Sequence, residues 1–396
     1  MGEFIQPLQE LPRKDLLIQY CAENNIEPTP GVELCREGSL VTVVIPAYNE
    51  KESIGQTIMS LGKSDAPIEI VVVDNGSDDG TQAEVMRLGQ EITQPLTLLE
   101  ATVKGPVYAR KRGMDEVVAQ YLLRDKSGKP RYIALTDADT LVRPNWARAV
   151  YNEFQRSGAS ALGGTFHFSP ELDDIIEQAT GIKKYFMSSV DLINYFMINK
   201  AALTQTRGAN MAIEIAPYAA IGGAQQPRDG QGNLLKGSDV LFGNALRLRG
   251  QKVGHIPVMT QSSARRTLTS LGMGESQASI STMTSWIDCR VRDADYLREI
   301  IADLNPEILH RHKFERETTF VYHSVLLPVL SGELSLDGLT GILGADHPLV
   351  TVLGQDIGIM SGKPVEDLKE RARQLDRQFS HNLIEIAENK IHNKHD

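Results

Sequence analysis

Carboxylates that crowd together repel unless a cation, a donor or water holds them, and this chain crowds them in two turns that follow apolar runs. Asp137 and Asp139 stand two residues apart in "TDADT", and Asp74, Asp78 and Asp79 fall within "VVVDNGSDDGT". In extended backbone, residues two apart point to the same side, so Asp137 and Asp139 can address one divalent cation. Hard cations such as Mg2+ or Mn2+ take carboxylate oxygens and commonly complete their shell with phosphate oxygens. Tyr48 and Asn49 in "IPAYNE" follow an apolar run, where an aromatic ring can stack on a base. "GPVYARKRG" carries Arg110, Lys111 and Arg112, and arginine suits a base edge or a phosphate. Each feature has a plainer alternative: a solvated acidic turn, a tyrosine packed on the rim of a sheet, a solvated basic helix face.

What positions these residues is an alternation of strands and helices. "LVTVVIP" reads as a first strand, residues 50–62 as a helix stopped by Gly62, and "IEIVVVD" as a second strand. Residues 81–91 read as a helix, "PLTLLE" as a third strand, residues 106–123 as a helix with Pro106 at its permitted first position, and "RYIALTD" as a fourth strand. Such alternation implies βαβ units and a parallel sheet, with ligands bound beyond the carboxyl ends of the strands. "AYNE", "DNGSDDGT" and "TDADT" all lie at such ends. Further on, "ASALGGTFHF" and "KVGHIP" read as strands, residues 171–200 as one or two helices, and Ser238 as the cap of a helix reaching Gly250 behind a glycine-rich loop. The chain after about residue 275 is mostly helical in pattern. The expected domains are an extension over residues 1–39, an α/β domain over 40–274 and a helical region over 275–396.

The 396 residues carry 51 acidic and 41 basic side chains, for a net charge of −10, which argues against a broad nucleic-acid surface. Cys21, Cys35 and Cys289 form no metal-binding spacing and read as reduced thiols of a cytoplasmic protein. The start "MGEFIQPLQE" has no apolar signal region, and no run approaches the roughly 18–20 apolar residues of a membrane span. The nearest candidate, "FVYHSVLLPVL", is short and contains Pro328. The expectation is a protein in the cytoplasm or at the cytoplasmic face of a membrane, with peripheral contact at most. The histidines of "HRHK", residues 310–313, read as part of a solvated helix.

The order "VVIPAYNE", "VVVDNGSDDGT", "GPVYARKRG" and "ALTDADT" with "RPNW" just after it resembles family 2 glycosyltransferases of the GT-A fold. "TRGANMAIEIAPYAAIGG" and "GSDVLFGNALRLRGQKVGHIP" then resemble that family's acceptor-side segments, so the likeness covers about residues 40–260. It implies a Rossmann-like, mostly parallel sheet flanked by helices, and transfer of a sugar from a nucleotide sugar. By the same resemblance, Tyr48 would lie against the base and Asp74 would accept from it, most simply from uracil N3–H. Arg110 would hold the nucleotide, Asp137 would meet the ribose or the sugar, and Asp139 would bind the metal bridging the diphosphate. Pro46, Asn49, Glu50 and Ser77 would complete the nucleotide-binding set. Asp239 would be the general base, with Ser238 beside it on the sugar and acceptor side. The chain departs from the family at Ser238, where a Glu is usual, at Lys111, where an Asn is usual, and in lacking the Gln-x-x-Arg-Trp motif of polymerising members. "SSARR" stands in that region, which favours transfer of one sugar.

The chemistry is coherent on its own terms. A diphosphate leaves poorly until its charge is neutralised, and a divalent cation on Asp139, Mn2+ or Mg2+, supplies that Lewis acid. Arg265 or Arg266 would add donors to the phosphates. Asp239 at a helix start has its pKa lowered by the dipole and raised again by burial beside a bound sugar. Gly222 and Gly223 would admit close backbone approach to the sugar, and residues 224–237 would form a lid or an ordinary loop. The reading is thus an inverting, metal-dependent hexosyltransferase, using UDP-linked donors and a hydroxyl acceptor that is a glycan, a lipid-linked sugar or a small molecule. The alternatives are a silent nucleotide-sugar binding module and a nucleotidyltransferase. The latter usually opens on a glycine-rich loop, which "IPAYNEKES" lacks.

Overall fold

The computed structural model describes residues 12–124, 128–225, 238–247, 249–272, 292–360 and 363–392. The chain divides into two units, one of residues 1–166, 205–263 and 285–291, the other of residues 167–204, 264–284 and 292–396.

The first unit opens with α1 (Arg13–Glu23) and continues through β1 (Val41–Ala47), α2 (Lys51–Gly62), β2 (Ile68–Asp74), α3 (Thr81–Leu88), β3 (Leu96–Glu100), α4 (Pro106–Arg124), β4 (Tyr132–Leu135), β5 (Thr140–Leu141), α5 (Trp146–Ser157) and β6 (Ala161–His167). After α6 (Pro170–Thr180) and α7 (Met187–Ile198), which belong to the second unit, it resumes with β7 (Met211–Glu214), α8 (Ile215–Ala220), α9 (Ser238–Arg247) and β8 (Val253–Ser262). One sheet runs in the order β3-β2-β1-β4-β7-β6-β8-β5. β3, β2, β1 and β4 are mutually parallel, as the strand–helix alternation predicts. β7 is antiparallel to both β4 and β6, and β5 to β8, so the sheet is mixed and only its first half is parallel. β7 escapes the sequence reading, and β8 runs on past the strand end expected at Pro257. β5 pairs with only Gln261 and Ser262 of β8, so at Pro257 the strand has an unpaired edge, where a missing N–H costs little.

Every residue of β1 and β2 is buried, because helices cover both faces of this half of the sheet. Val44, Val71 and Val73 pack with α1, α4, α8 and α9, while Val43, Ile45, Ile70 and Val72 pack with α2, α3 and α5. Pro46 is tolerated inside β1 because the ladder to β4 already ends at Val44. α4 sits very close to the sheet at Gly113, where a Cβ would lie 2.5 Å from Val44 Cγ1.

The segment before β1 belongs to this packing. Glu69, fully buried on β2, accepts from Cys35 N–H (3.0 Å) and Arg36 N–H (2.9 Å) and pairs with Arg131. Glu116 of α4, also fully buried, accepts from Thr29 N–H (2.9 Å), from the Thr29 hydroxyl (2.6 Å) and from Arg112 (2.8 Å). Burial raises the Glu116 pKa, and the bonds from Thr29, Gln120 and Arg112 outweigh it to leave the carboxyl below its ordinary value.

The second unit is helical: α6 (Pro170–Thr180), α7 (Met187–Ile198), α10 (Arg265–Gly272), α11 (Asp293–Ile301), α12 (Pro306–Val321), a π-turn over Tyr322–Leu326, α13 (Leu327–Leu330), α14 (Asp337–Leu343), α15 (Pro348–Met360) and α16 (Val365–His392). The apolar run containing Pro328 lies in its core, where Phe320, Val325, Leu326 and Val329 pack against Leu192 and Phe196 of α7. Pro328 has no N–H to offer the carbonyl of Ser324, which accepts from Leu203 N–H at 2.8 Å instead. No helix among the described residues is long and apolar enough to cross a membrane. His310 is exposed, but His312 is buried against the Tyr185 hydroxyl at 2.9 Å, contrary to the solvated helix expected. Burial, helped by Arg316 and Arg311, pushes the imidazole down to about 4.

Candidate nucleotide site at the ends of β1, β2 and β4

β1 and β2 end side by side, with Ala47 opposite Asp74. The chain leaves β1 through Tyr48 and Asn49, the latter at φ 52°. Ser77 Oγ accepts from Asn49 N–H (2.9 Å) and Asn49 Oδ1 accepts from Asp78 N–H (3.0 Å), which locks the two turns together. Asp79 accepts from Lys51 N–H at 3.0 Å and from Thr81 N–H at 2.9 Å, joining the heads of α2 and α3. Burial raises its pKa, but bonds from Thr81 and from the Lys51 backbone outweigh this, and the carboxyl sits below its usual range. Asp78 is exposed. The acidic excess of this turn is therefore partly architecture.

Asp74 is different. It is fully buried, and its Oδ2 accepts from Gly76 N–H (3.0 Å), Ser77 N–H (3.1 Å) and Gln82 Nε2 (2.8 Å). Its Oδ1 is buried and accepts nothing among the described residues. An unsatisfied buried acceptor costs about 1–3 kcal/mol, more when charged, and a ligand N–H relieves that cost.

The neighbouring loop between β3 and α4 is built by Asn75, which donates to Ala101 O (3.2 Å) and Val103 O (2.7 Å) and accepts from Gly105 N–H (2.6 Å). Lys104 extends from this loop. Its Nζ donates to Gly76 O at 2.9 Å and lies 4.3 Å from the centroid of the Tyr48 ring. Nothing in the sequence marked Lys104, an exposed loop lysine, or Gln82 as neighbours of this turn.

Arg110, on the first turns of α4, donates from Nη2 to Asp137 Oδ1 at 2.7 Å. Its guanidinium fills the space left by Gly208, where any Cβ would collide with it. Asp137 and Asp139 are half-buried while Thr136, Ala138 and Thr140 are buried, but the stretch is a turn and not the extended backbone expected, because Thr140 N–H closes back on Asp137 O at 3.2 Å. Thr57 Oγ1 donates to Ala138 O (2.8 Å) and Ser263 N–H to Asp139 O (3.2 Å), pinning the backbone on both sides. Among the described residues no three His, Cys, Asp or Glu side chains cluster as a metal cage. One or two carboxylates on a pinned backbone suit a hard cation that takes its remaining ligands from phosphate and water. The residues present thus fit Mg2+ or Mn2+ held jointly with a diphosphate.

Other expected site residues have different surroundings. Pro46 and Glu50 are buried, and the Glu50 N–H donates to Thr81 Oγ1 at 2.8 Å. The basic triplet of α4 is not a solvated face: Lys111 bonds Asp115 (2.8 Å) and the Tyr20 hydroxyl (3.1 Å), Arg112 bonds Glu116, and only Arg110 reaches Asp137. Gly222 and Gly223 take φ 83° and 78°. The room that Gly223 leaves is filled by the Tyr20 hydroxyl, so the close approach expected of a sugar is made there by the protein itself. Tyr20 and Tyr218 both donate to Asp115 Oδ1, at 2.7 and 2.8 Å, and burial first, then Asp115, pushes the Tyr20 phenol far above its ordinary range. Ser238 and Asp239 begin α9, while residues 226–237 and the side chains of these two lie outside the described residues. Arg265 and Arg266 begin α10 in the second unit.

Residues 42–221 match the family model described as Glycosyl transferase family 2. Residues 42–221 form a family 2 glycosyltransferase domain. The ends of β1, β2 and β4, with Tyr48, Asp74, Arg110, Asp137 and Asp139, all fall inside this family 2 domain. Among curated proteins the chain is 27% identical over 132 residues to the glycosyltransferase AglE of Haloferax volcanii, covering 33% of this chain and 40% of that protein. It is 25% identical over 123 residues to the 4,4'-diaponeurosporenoate glycosyltransferase of Staphylococcus aureus, covering 31% of this chain and 30% of that one. The alignments thus span well under half the length of these relatives. Among solved structures, a mannosyltransferase of Pyrobaculum calidifontis in complex with GDP-Man and Mn2+ aligns at 16% identity over 96% of this chain and 98% of its own, with a TM-score of 0.38. TarS of S. aureus, residues 1–349, aligns at 14% identity over 84% and 91%, with a TM-score of 0.39. Both are loose superpositions.

Proposed function

We propose that the family 2 domain transfers a single sugar from a UDP-linked donor to a hydroxyl acceptor, with inversion at the anomeric carbon. The observation that carries this reading is Asp74, a fully buried carboxylate with one oxygen satisfied three times and the other accepting nothing among the described residues. An acceptor at that edge suits the N3–H of uracil, as it would the N1–H of guanine, whereas cytosine and adenine present acceptors there. Tyr48 offers a ring for the base one strand away, and Arg110 and Asp137 form a linked pair for the ribose or the sugar. Asp139 would hold a divalent cation, which would supply the Lewis acid that neutralises the leaving diphosphate.

In the reaction, the acceptor oxygen attacks the anomeric carbon as the bond from that carbon to the diphosphate oxygen breaks, and the diphosphate leaves with the electron pair. The hydroxyl proton passes to a carboxylate on the opposite face, assigned here to Asp239 in the first turn of α9. Arg110 keeps the nucleotide end fixed while Asp74 holds the base, so that the anomeric carbon meets the acceptor in one geometry. The acceptor is a glycan, a lipid-linked sugar or a small hydroxyl compound.

The test is a panel of UDP-, GDP- and CDP-sugars with and without Mn2+ or Mg2+, read first by melting temperature and then by product analysis. Ligands that bind the native state raise its melting temperature. The expected result is a metal-dependent rise confined to UDP compounds, and a product of opposite anomeric configuration to the donor. A rise with GDP-sugars alone would overturn the base assignment, and a retained configuration would overturn the single displacement.

A further inference from the structure

Lys104 stands where the nucleotide site of the proposed function has to open. The ammonium sits over the face of Tyr48, 4.3 Å from its centroid, and is tied at 2.9 Å to the carbonyl of Gly76, the second residue beyond Asp74. Its backbone has little freedom, because Asn75 fastens Ala101, Val103 and Gly105 on either side of it. Its four-carbon stem is exposed and can swing. Gly76, at φ 81°, carries no Cβ, and one would come within 3.0 Å of this ammonium. The same ring face is the surface a base would need, so a base and the ammonium cannot both occupy it.

We propose that Lys104 is a two-position cation: it covers the Tyr48 ring while the site is empty, and on nucleotide entry it leaves the ring and pairs with the donor's phosphates. The inference rests on the nucleotide reading given above. Its physical logic is an exchange. The attraction between ring and ammonium, which the entering base breaks, is weak at an exposed position, and a charge-assisted bond to phosphate replaces it. A ligand with phosphates recovers what it displaces; a ligand without them does not. Lys104 therefore selects nucleotides over nucleosides, and does so without touching the base edge that Asp74 reads.

Calorimetry with uridine and UDP, on the wild type and on Lys104→Met and Lys104→Ala, tests it. Removing the ammonium uncovers the ring, so uridine should bind roughly two- to fivefold tighter, while UDP should bind about tenfold weaker. The UDP-to-uridine preference should fall in both variants, and most of the salt dependence of UDP binding that the wild type shows should go with it. Lys104 is exposed, and melting temperatures near wild type will confirm that both variants fold. Equal changes for the two ligands, or none, would overturn the exchange while leaving the nucleotide reading intact. A wild type that binds UDP but shows the same affinity for uridine in all three proteins would overturn it equally. A wild type that binds neither ligand would remove the nucleotide reading itself, and this inference with it.

Discussion

Replacing Asp74 by Asn should change which pyrimidine the site prefers. The substitution keeps size and shape. The three donors gathered on Oδ2, from Gly76, Ser77 and Gln82, are satisfied by the amide oxygen of an asparagine, which orients its NH2 toward the position now held by Oδ1. Where the wild type offers a buried charged acceptor, the variant offers a donor. Uracil N3–H then meets N–H, and the lost bond to a charged group is worth about 1.5–3 kcal/mol, or roughly a 10- to 150-fold weaker Kd for UDP. Cytosine, with an acceptor at N3, should bind better than it does to the wild type, so the UDP-to-CDP ratio should fall by more than the UDP affinity alone. Calorimetry with UDP and CDP measures both, and the melting temperature reports on the hydrogen bonds left within the turn. An unchanged UDP-to-CDP ratio at unchanged melting temperature would refute the placement of the base against Asp74. A large drop in melting temperature with no change in ratio would make Asp74 a turn residue only.

Three further outcomes are expected. Asp139→Asn should abolish the metal-dependent part of UDP binding and leave the metal-free part near wild type, and full turnover in excess chelator would contradict the role given to Asp139. Asp239→Asn should cut transfer by about 10²–10⁴-fold with UDP affinity nearly unchanged; transfer retained with the true acceptor would move the base elsewhere. His312, held neutral down to about 4 against an ordinary value near 6.5, binds its proton in the unfolded chain first. Stability of the second unit should therefore fall as pH drops from about 6.5 to 4, by up to about 3 kcal/mol, and level off below; His312→Phe should flatten that slope in melting curves, and an unchanged slope would assign it to other groups.

The parallel half of the sheet was legible because β1 and β2 are buried on both faces and so read as unbroken apolar runs that must end where the chain surfaces. The places of Asp74, Asp137 and Asp139 at or just beyond strand ends were legible for the same reason, since a carboxylate that closes such a run marks where the chain leaves the sheet. Lys104 was not, because its place depends on three hydrogen bonds from Asn75 that no local pattern announces. Nor were the separate fates of Arg110, Lys111 and Arg112, which depend on partners in β4's following turn, in α1 and at Thr29. α6 and α7 were readable as helices from their own sequence. Their packing with the helices after residue 292 was not, since Leu192 and Phe196 meet Phe320 only through tertiary contacts.

The Tyr20 hydroxyl in the notch at Gly223 has a consequence for how the chain is made. Residues 12–40 leave the ribosome well before the groups that receive them: Glu69, then Asp115 and Glu116, then Glu214 and Gly223. Arg13 and its partner Glu214 are 201 positions apart. At ordinary synthesis rates of about 5–20 residues per second, the first helix waits on the order of 10–40 seconds for its last partner. During that wait its apolar face, with Leu17 and Tyr20, has nothing of its own to cover it. A segment made early is thus among the last to settle, and a stop in translation before residue 223 leaves it exposed to proteases and chaperones.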